Sequence, residues 1–119
     1  MTDTLYDRLG GSDGIRNIVN DLVENHLTNS RIAPRFANSD AAAMKTLASD
    51  FFIMGAGGPN NYKGSDMVTA HKAMNIDNDE FMAVLDDAMA ALEKNDVGQR
   101  EREEVLFILY SMRQDVVGQ

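Results

Sequence analysis

The chain has 119 residues, 44% of them apolar and 25% charged, which predicts one globular domain spanning residues 1–119. Nineteen acidic residues against 11 basic give a net charge of -8, and with no basic stripe in view neither nucleic acid nor an anionic membrane surface is expected as a partner. There is no cysteine, which excludes disulfides, Fe–S clusters, thiolate zinc sites and covalently attached c-type haem. The N-terminal stretch MTDTLYDRLGG lacks an apolar signal core, and no apolar run approaches the roughly 20 residues of a membrane span. A cytoplasmic protein is expected. Eight methionines are read as fillers of irregular core gaps.

The elements follow in chain order. Thr4 to Leu9 reads as a short first turn closed by Gly10-Gly11. Ser12 or Asp13 is expected to cap a second helix whose stripe runs Ile15, Ile18, Val19, Leu22, Val23, His26 and Leu27, ending at Asn29-Ser30. Pro34 and Phe36 fall in a tight connection. Ser39 and Asp40 are expected to cap a third helix through Met44, Leu47, Ala48, Phe51 and Phe52. Three glycines and a proline between Gly55 and Pro59 force a loop. A short helical segment through Met67 and Ala70 leads to His71. Asp77 with Glu80 three residues on predicts a capping box that opens a helix through Phe81, Val84, Leu85, Ala88 and Leu92. After Asn95-Asp96 a last helix carries Val105 to Val116. No segment alternates like a strand. The pattern predicts an all-α fold of four substantial helices in two pairs, split by a long irregular middle.

Only two histidines occur, His26 and His71. Imidazole is the commonest metal ligand among side chains, and one is enough to hold haem iron. His71 stands in a loop-to-helix junction and is the first candidate. His26 lies mid-stripe, where burial demands a partner. It reads as a core histidine bonded to a backbone carbonyl or a facing side chain, against the sharper readings of a distal donor or a sixth iron ligand. The acidic run Glu101 to Glu104 reads as a solvated helix start.

Read in order, these residues resemble the truncated haemoglobins, most closely the short first group. Leu5-Tyr6-Asp7-Arg8-Leu9-Gly10-Gly11 is similar to the family's opening signature, and Arg31-Ile32-Ala33-Pro34-Arg35-Phe36 to the connection that ends in a haem-stacking phenylalanine. Gly57-Gly58-Pro59, Tyr62, Gly64, Met67 and Ala70-His71 resemble the stretch bearing the proximal ligand, with Ile76 and Phe81 following. The resemblance covers nearly the whole chain and implies a two-over-two helical sandwich around haem b.

It further implies His71 as axial ligand, Phe36 against the porphyrin face, and Phe51, Met67, Ile76, Phe81 and Val84 as pocket lining. Tyr62 would stand near the propionates with Lys63 or Lys45, and Phe52 would gate an apolar tunnel. The chain departs from the family on the distal side. A tyrosine and the third-helix glutamines or histidine that donate to bound oxygen align with Val23, Met44, Leu47 and Ala48, all apolar. Met44 is expected to line the pocket, although its thioether could ligate iron.

A lost donor of roughly 1.5–3 kcal/mol costs oxygen one to two orders of magnitude in affinity. The implied function is therefore a haem binder of O2, CO and NO with weak or fast-dissociating oxygen. Nitric oxide dioxygenase chemistry and an electron-donating reductase are the associated activity and partner, in a monomer or weak dimer. Two alternatives stand beside it: a redox or gas-sensing haemoprotein whose sixth site is filled by Met44 or His26, and a haem-free helical interaction protein.

Overall fold

In a computed structural model, described over residues 4–119, seven α-helices and one 3-10 turn account for the fold. The first three residues of the segment inspected for a signal core lie outside the described residues. The helices are α1 (Leu5–Arg8), α2 (Gly11–Thr28), α3 (Ala41–Gly55), α4 (Met67–His71), α5 (Asn78–Lys94), α6 (Gln99–Ser111) and α7 (Arg113–Val116), with the 3-10 turn at Ala33–Phe36. Among the described residues no helix is long and apolar enough to cross a membrane.

The predicted stripe of α2 is its buried face: Ile15, Ile18, Val19, Leu22, Val23 and His26 are all buried. It packs on α3 and α5, and α5 packs in turn on α6. Val19 and Ala91 have no exposed surface, and Ala88 has almost none. Each buried Val, Leu or Ile contributes about 1.5–3 kcal/mol relative to exposure. A second, smaller cluster of Ile76, Phe81, Leu85 and Val116 joins α5 to the C-terminal end.

Most boundaries follow the expected caps. Thr4 and Asp7 form a reciprocal capping box on α1, and Asp77 and Glu80 form another on α5. The Asp40 carboxylate accepts the amide of Ala43 at the start of α3, while Ser39 supplies no cap there.

Three local expectations are corrected. α2 starts two residues earlier than its expected caps, from Gly10 at φ +96°, so neither Ser12 nor Asp13 caps it. Only glycine adopts that left-handed conformation without strain, and Gly14 lies so close behind that its own Cβ would meet the Leu9 carbonyl at 2.2 Å. The Ser12 hydroxyl instead bonds the Tyr6 hydroxyl at 2.8 Å. The last helix is two, broken at Met112. Finally, Glu101 and Glu104 are not merely solvated: both accept from the Arg8 guanidinium, tying α1 to α6.

The irregular middle is anchored at both ends. Gly58 lies so close to the Tyr6 ring that a Cβ would sit 2.4 Å from it. Beyond α4, Ile76 bridges to Val117, the Gly118 amide donates to the Ile76 carbonyl at 2.8 Å, and the Asn75 amide donates to the Gln119 carbonyl at 2.9 Å. The segment after His71 is thus strapped to the C-terminal residues, with α4 against α7.

Candidate functional site

His71 is the last residue of α4, a five-residue helix capped by the Asp66 carboxylate, which accepts the Thr69 amide at 2.8 Å. The Thr69 hydroxyl, and after it the Thr69 amide, hold the Asp66 carboxyl below the usual carboxylate range. Nδ1 of His71 lies 2.8 Å from the carbonyl oxygen of Met67, one turn back. A carbonyl only accepts, so Nδ1 carries the proton. That leaves Nε2, on the far side of the ring, with a free lone pair.

The imidazole borders a cleft of about 770 Å3, its open mouth included. Seven of the expected site residues line it together: Phe36, Phe51, Met67, His71, Ile76, Phe81 and Val84. They arrive from the 3-10 turn, α3, α4, the loop after α4, and α5. Ile32, Met74, Leu85, Leu109 and Met112 add further apolar surface. The wall is apolar, as small-molecule and cofactor sites require.

Two charged residues, Arg35 and Glu80, complete the wall. Arg35 donates to both Glu80 oxygens and, through Nη1, to the Met74 carbonyl at 3.0 Å. One guanidinium thereby joins the 3-10 turn, α5 and the loop behind His71. The hydrogen bonds from Arg35 are the main reason the Glu80 carboxyl sits below the usual glutamate range. Glu80 also accepts the Asp77 amide in the capping box, so one carboxylate serves the helix start and the cleft at once.

The remaining expected residues do not line the cleft. Tyr62 packs edge-on against Phe51 with ring centroids 5.2 Å apart, and its hydroxyl donates to the Ser65 carbonyl at 2.6 Å. Lys45 is paired with Glu24 at 2.9 Å, which turns it toward α2. Val23 is buried in the core, with Met44 and Ala48 packed against it. Leu47 is 44% exposed, one helical turn before the cleft residue Phe51 and so on the same face of α3. Phe52 meets Phe51 edge-on at 6.2 Å and lines a small apolar pocket with Leu5, Leu9 and Val105. Phe51, Leu109 and Met112 border both cavities.

His26 stands outside the cleft. Its Nδ1 lies 2.7 Å from an Asp87 oxygen, and its ring stacks on Phe36. The core reading holds, with a facing side chain as the partner. Asp87 is a buried acid on the inner face of α5, at a place where the sequence shows only a charge among apolar residues. Arg35 and Glu80 were visible only as parts of the connection and of a helix cap.

Comparison with known proteins bears on this arrangement. The model of the bacterial-like globin family matches residues 4–117. The chain is 32% identical to the group 1 truncated haemoglobin of Tetrahymena pyriformis over 115 residues, covering 97% of this chain and 95% of that protein. The chain belongs to the group 1 truncated haemoglobins. The Tetrahymena thermophila protein of the same name is 30% identical over the same span. A crystal structure of the T. pyriformis haemoglobin in its Fe(III) form superposes with a TM-score of 0.94, covering 98% of this chain and all of that one. The fold is therefore the two-over-two sandwich of a truncated haemoglobin. Solved variants of the T. pyriformis protein replace a tyrosine by phenylalanine and two glutamines by glutamate. In this truncated haemoglobin neither α2 nor α3 contains a tyrosine or a glutamine.

Proposed function

We propose that this truncated haemoglobin holds haem b non-covalently, with Nε2 of His71 as the iron ligand, and binds diatomic gases beside an apolar distal wall. The observation that carries the reading is the Nδ1–Met67 hydrogen bond at the wall of the cleft. It presents an oriented neutral imidazole, as metal-ligating histidines require. Among the described residues no group of three or more His, Asp or Glu is arranged so that it could hold a metal ion. His71 therefore suits a metal that brings its remaining ligands in a macrocycle.

Haem iron, when bound, supplies reversible coordination of a small gas. The chain's residues supply the rest. Phe36, Phe81 and Ile76 exclude water from the plate, Met67 aims the imidazole, and Arg35 offers its remaining N–H donors at the cleft wall. In this reading Arg35, which lines the cleft, takes the propionate role expected of Lys45, which lies outside it and pairs with Glu24.

Val23, Met44, Leu47 and Ala48 contribute no donor to a polar ligand. Dioxygen, which gains most from one, is held weakly, whereas CO and NO lose little. The acid in the cleft wall, Glu80, is held by Arg35. Any turnover of NO here is thus of a kind that asks no proton from the protein, with a separate reductase keeping the iron ferrous. Titrating the protein with hemin tests the reading. Saturation at one haem per chain, followed on reduction by clean uptake of CO, is expected. A chain that takes up no haem overturns it.

A further inference from the structure

His26, Asp87 and Phe36 form a unit that haem attachment alone does not explain. His26 is 8% exposed and Asp87 9%. Nδ1 of His26 donates to one Asp87 oxygen at 2.7 Å, and Nδ2 of Asn29 donates to the other at 3.1 Å. Nδ2 of Asn25 donates to the Asp87 backbone carbonyl at 3.1 Å, which pins α2 to α5. Both carboxylate oxygens are occupied, so the imidazole is held at its ring nitrogen and at its helix.

That fixed ring lies parallel to Phe36, at an interplanar angle of 5° and a centroid separation of 5.7 Å. Phe36 ends a four-residue 3-10 turn that has no buried residue of its own. Such a turn does little to hold a side chain in one orientation. An aliphatic residue at position 26 would fill the same space but could not impose a plane.

Resting on the haem reading above, we propose that His26, oriented by Asp87, is a positioning residue that sets the plane of Phe36 against the haem face and so governs haem retention. The chemistry is general: a stacked aromatic pair gains from a defined offset geometry, and a flat ligand gains from a wall already in place.

The test follows the transfer of haem from ferric holoprotein to excess apomyoglobin. His26→Leu with Asp87→Leu removes the buried pair together, so that only the half-buried Asn29 amide, which water can reach, loses its acceptor. This double variant is expected to lose haem about three- to tenfold faster than wild type, the scale of one aromatic pair. In a Phe36→Ala background the same double change is expected to alter the rate less than twofold. A double variant with the wild-type rate overturns the proposal. So does equal acceleration with and without Phe36, which would mark the pair as packing only. Should the double variant not fold, His26→Gln keeps a donor for Asp87 but has no ring, and the same acceleration and the same dependence on Phe36 are expected of it. Wild-type protein that never loads haem would instead overturn the functional reading beneath.

Discussion

His71 and Met67 are joined by a hydrogen bond within a single helical turn: the imidazole Nδ1 donates to the Met67 carbonyl at 2.8 Å. The acceptor is backbone, so no substitution at position 67 removes it. Orientation of the proposed ligand is built into α4 itself, and the apolar cleft is arranged around the nitrogen left free.

The distal wall gives the first prediction. Met44→Gln nearly conserves volume and adds a donor on α3. The dioxygen dissociation rate, followed by stopped flow on the ferrous protein, should fall about tenfold. The CO rate should change much less. An equal change for both gases would mean that position 44 acts by bulk and not by hydrogen bonding.

The rim of the cleft gives a pH prediction. Arg35 holds the Glu80 carboxyl below the usual glutamate range. A depressed folded value means that the pair's contribution is fully present above the unfolded glutamate value and disappears as pH falls through the folded one. The pair's contribution to haem retention should therefore stay constant from neutral pH down to the usual glutamate range and fall away only below it. Asp21 and Glu104 are depressed too and weaken the fold in the same acid window. The comparison with Glu80→Gln isolates the rim, because that variant should show a shallower acid loss in a haem-release titration. Identical profiles would remove Glu80 from the account.

The buried acid on α5 supports a stability prediction. Asp87→Ala leaves the His26 and Asn29 donors without their acceptor, at a cost of about 2–3 kcal/mol. Urea denaturation followed by far-UV circular dichroism reads it directly. A loss below about 0.5 kcal/mol, the level of an ordinary surface substitution, would mean that water replaces the carboxylate.

The C-terminal strap is also measurable. Removing residues 117–119 cuts the bonds from Gly118 to Ile76 and from Asn75 to Gln119. At about 1 kcal/mol net for each, the thermal midpoint should fall by several degrees. Haem should be lost faster as well, because the strapped segment directly follows His71. An unchanged midpoint would show that the small cluster around Phe81 holds this segment without the strap.

How much of this was legible before the structure depends on the kind of interaction. The helices were readable because their apolar stripes and caps are local: the α2 stripe and the Asp77–Glu80 box each lie within a few turns. The cleft wall was readable from His71 and the aromatic residues, whose order and spacing carry the family resemblance. The polar pairs were not. His26 and Asp87 are 61 residues apart, Arg35 and Glu80 are 45 apart, and Arg8 and Glu104 are 96 apart. No periodicity couples residues at such separations; they meet only when the helices cross. The helix start at Gly10 escaped because a left-handed glycine replaced the expected side-chain cap. The break at Met112 interrupts an apolar pattern that continues on either side of it.

The central claim is that His71 alone supplies the iron ligand from the protein. It is tested most directly by resonance Raman spectroscopy of the ferrous, ligand-free holoprotein beside His71→Ala. An iron–imidazole stretching band of a five-coordinate haem is expected in the wild type. It should be absent in the variant and return when free imidazole is added. A six-coordinate spectrum in the wild type, or a band that survives His71→Ala, would mean that another side chain binds the iron and would contradict the account.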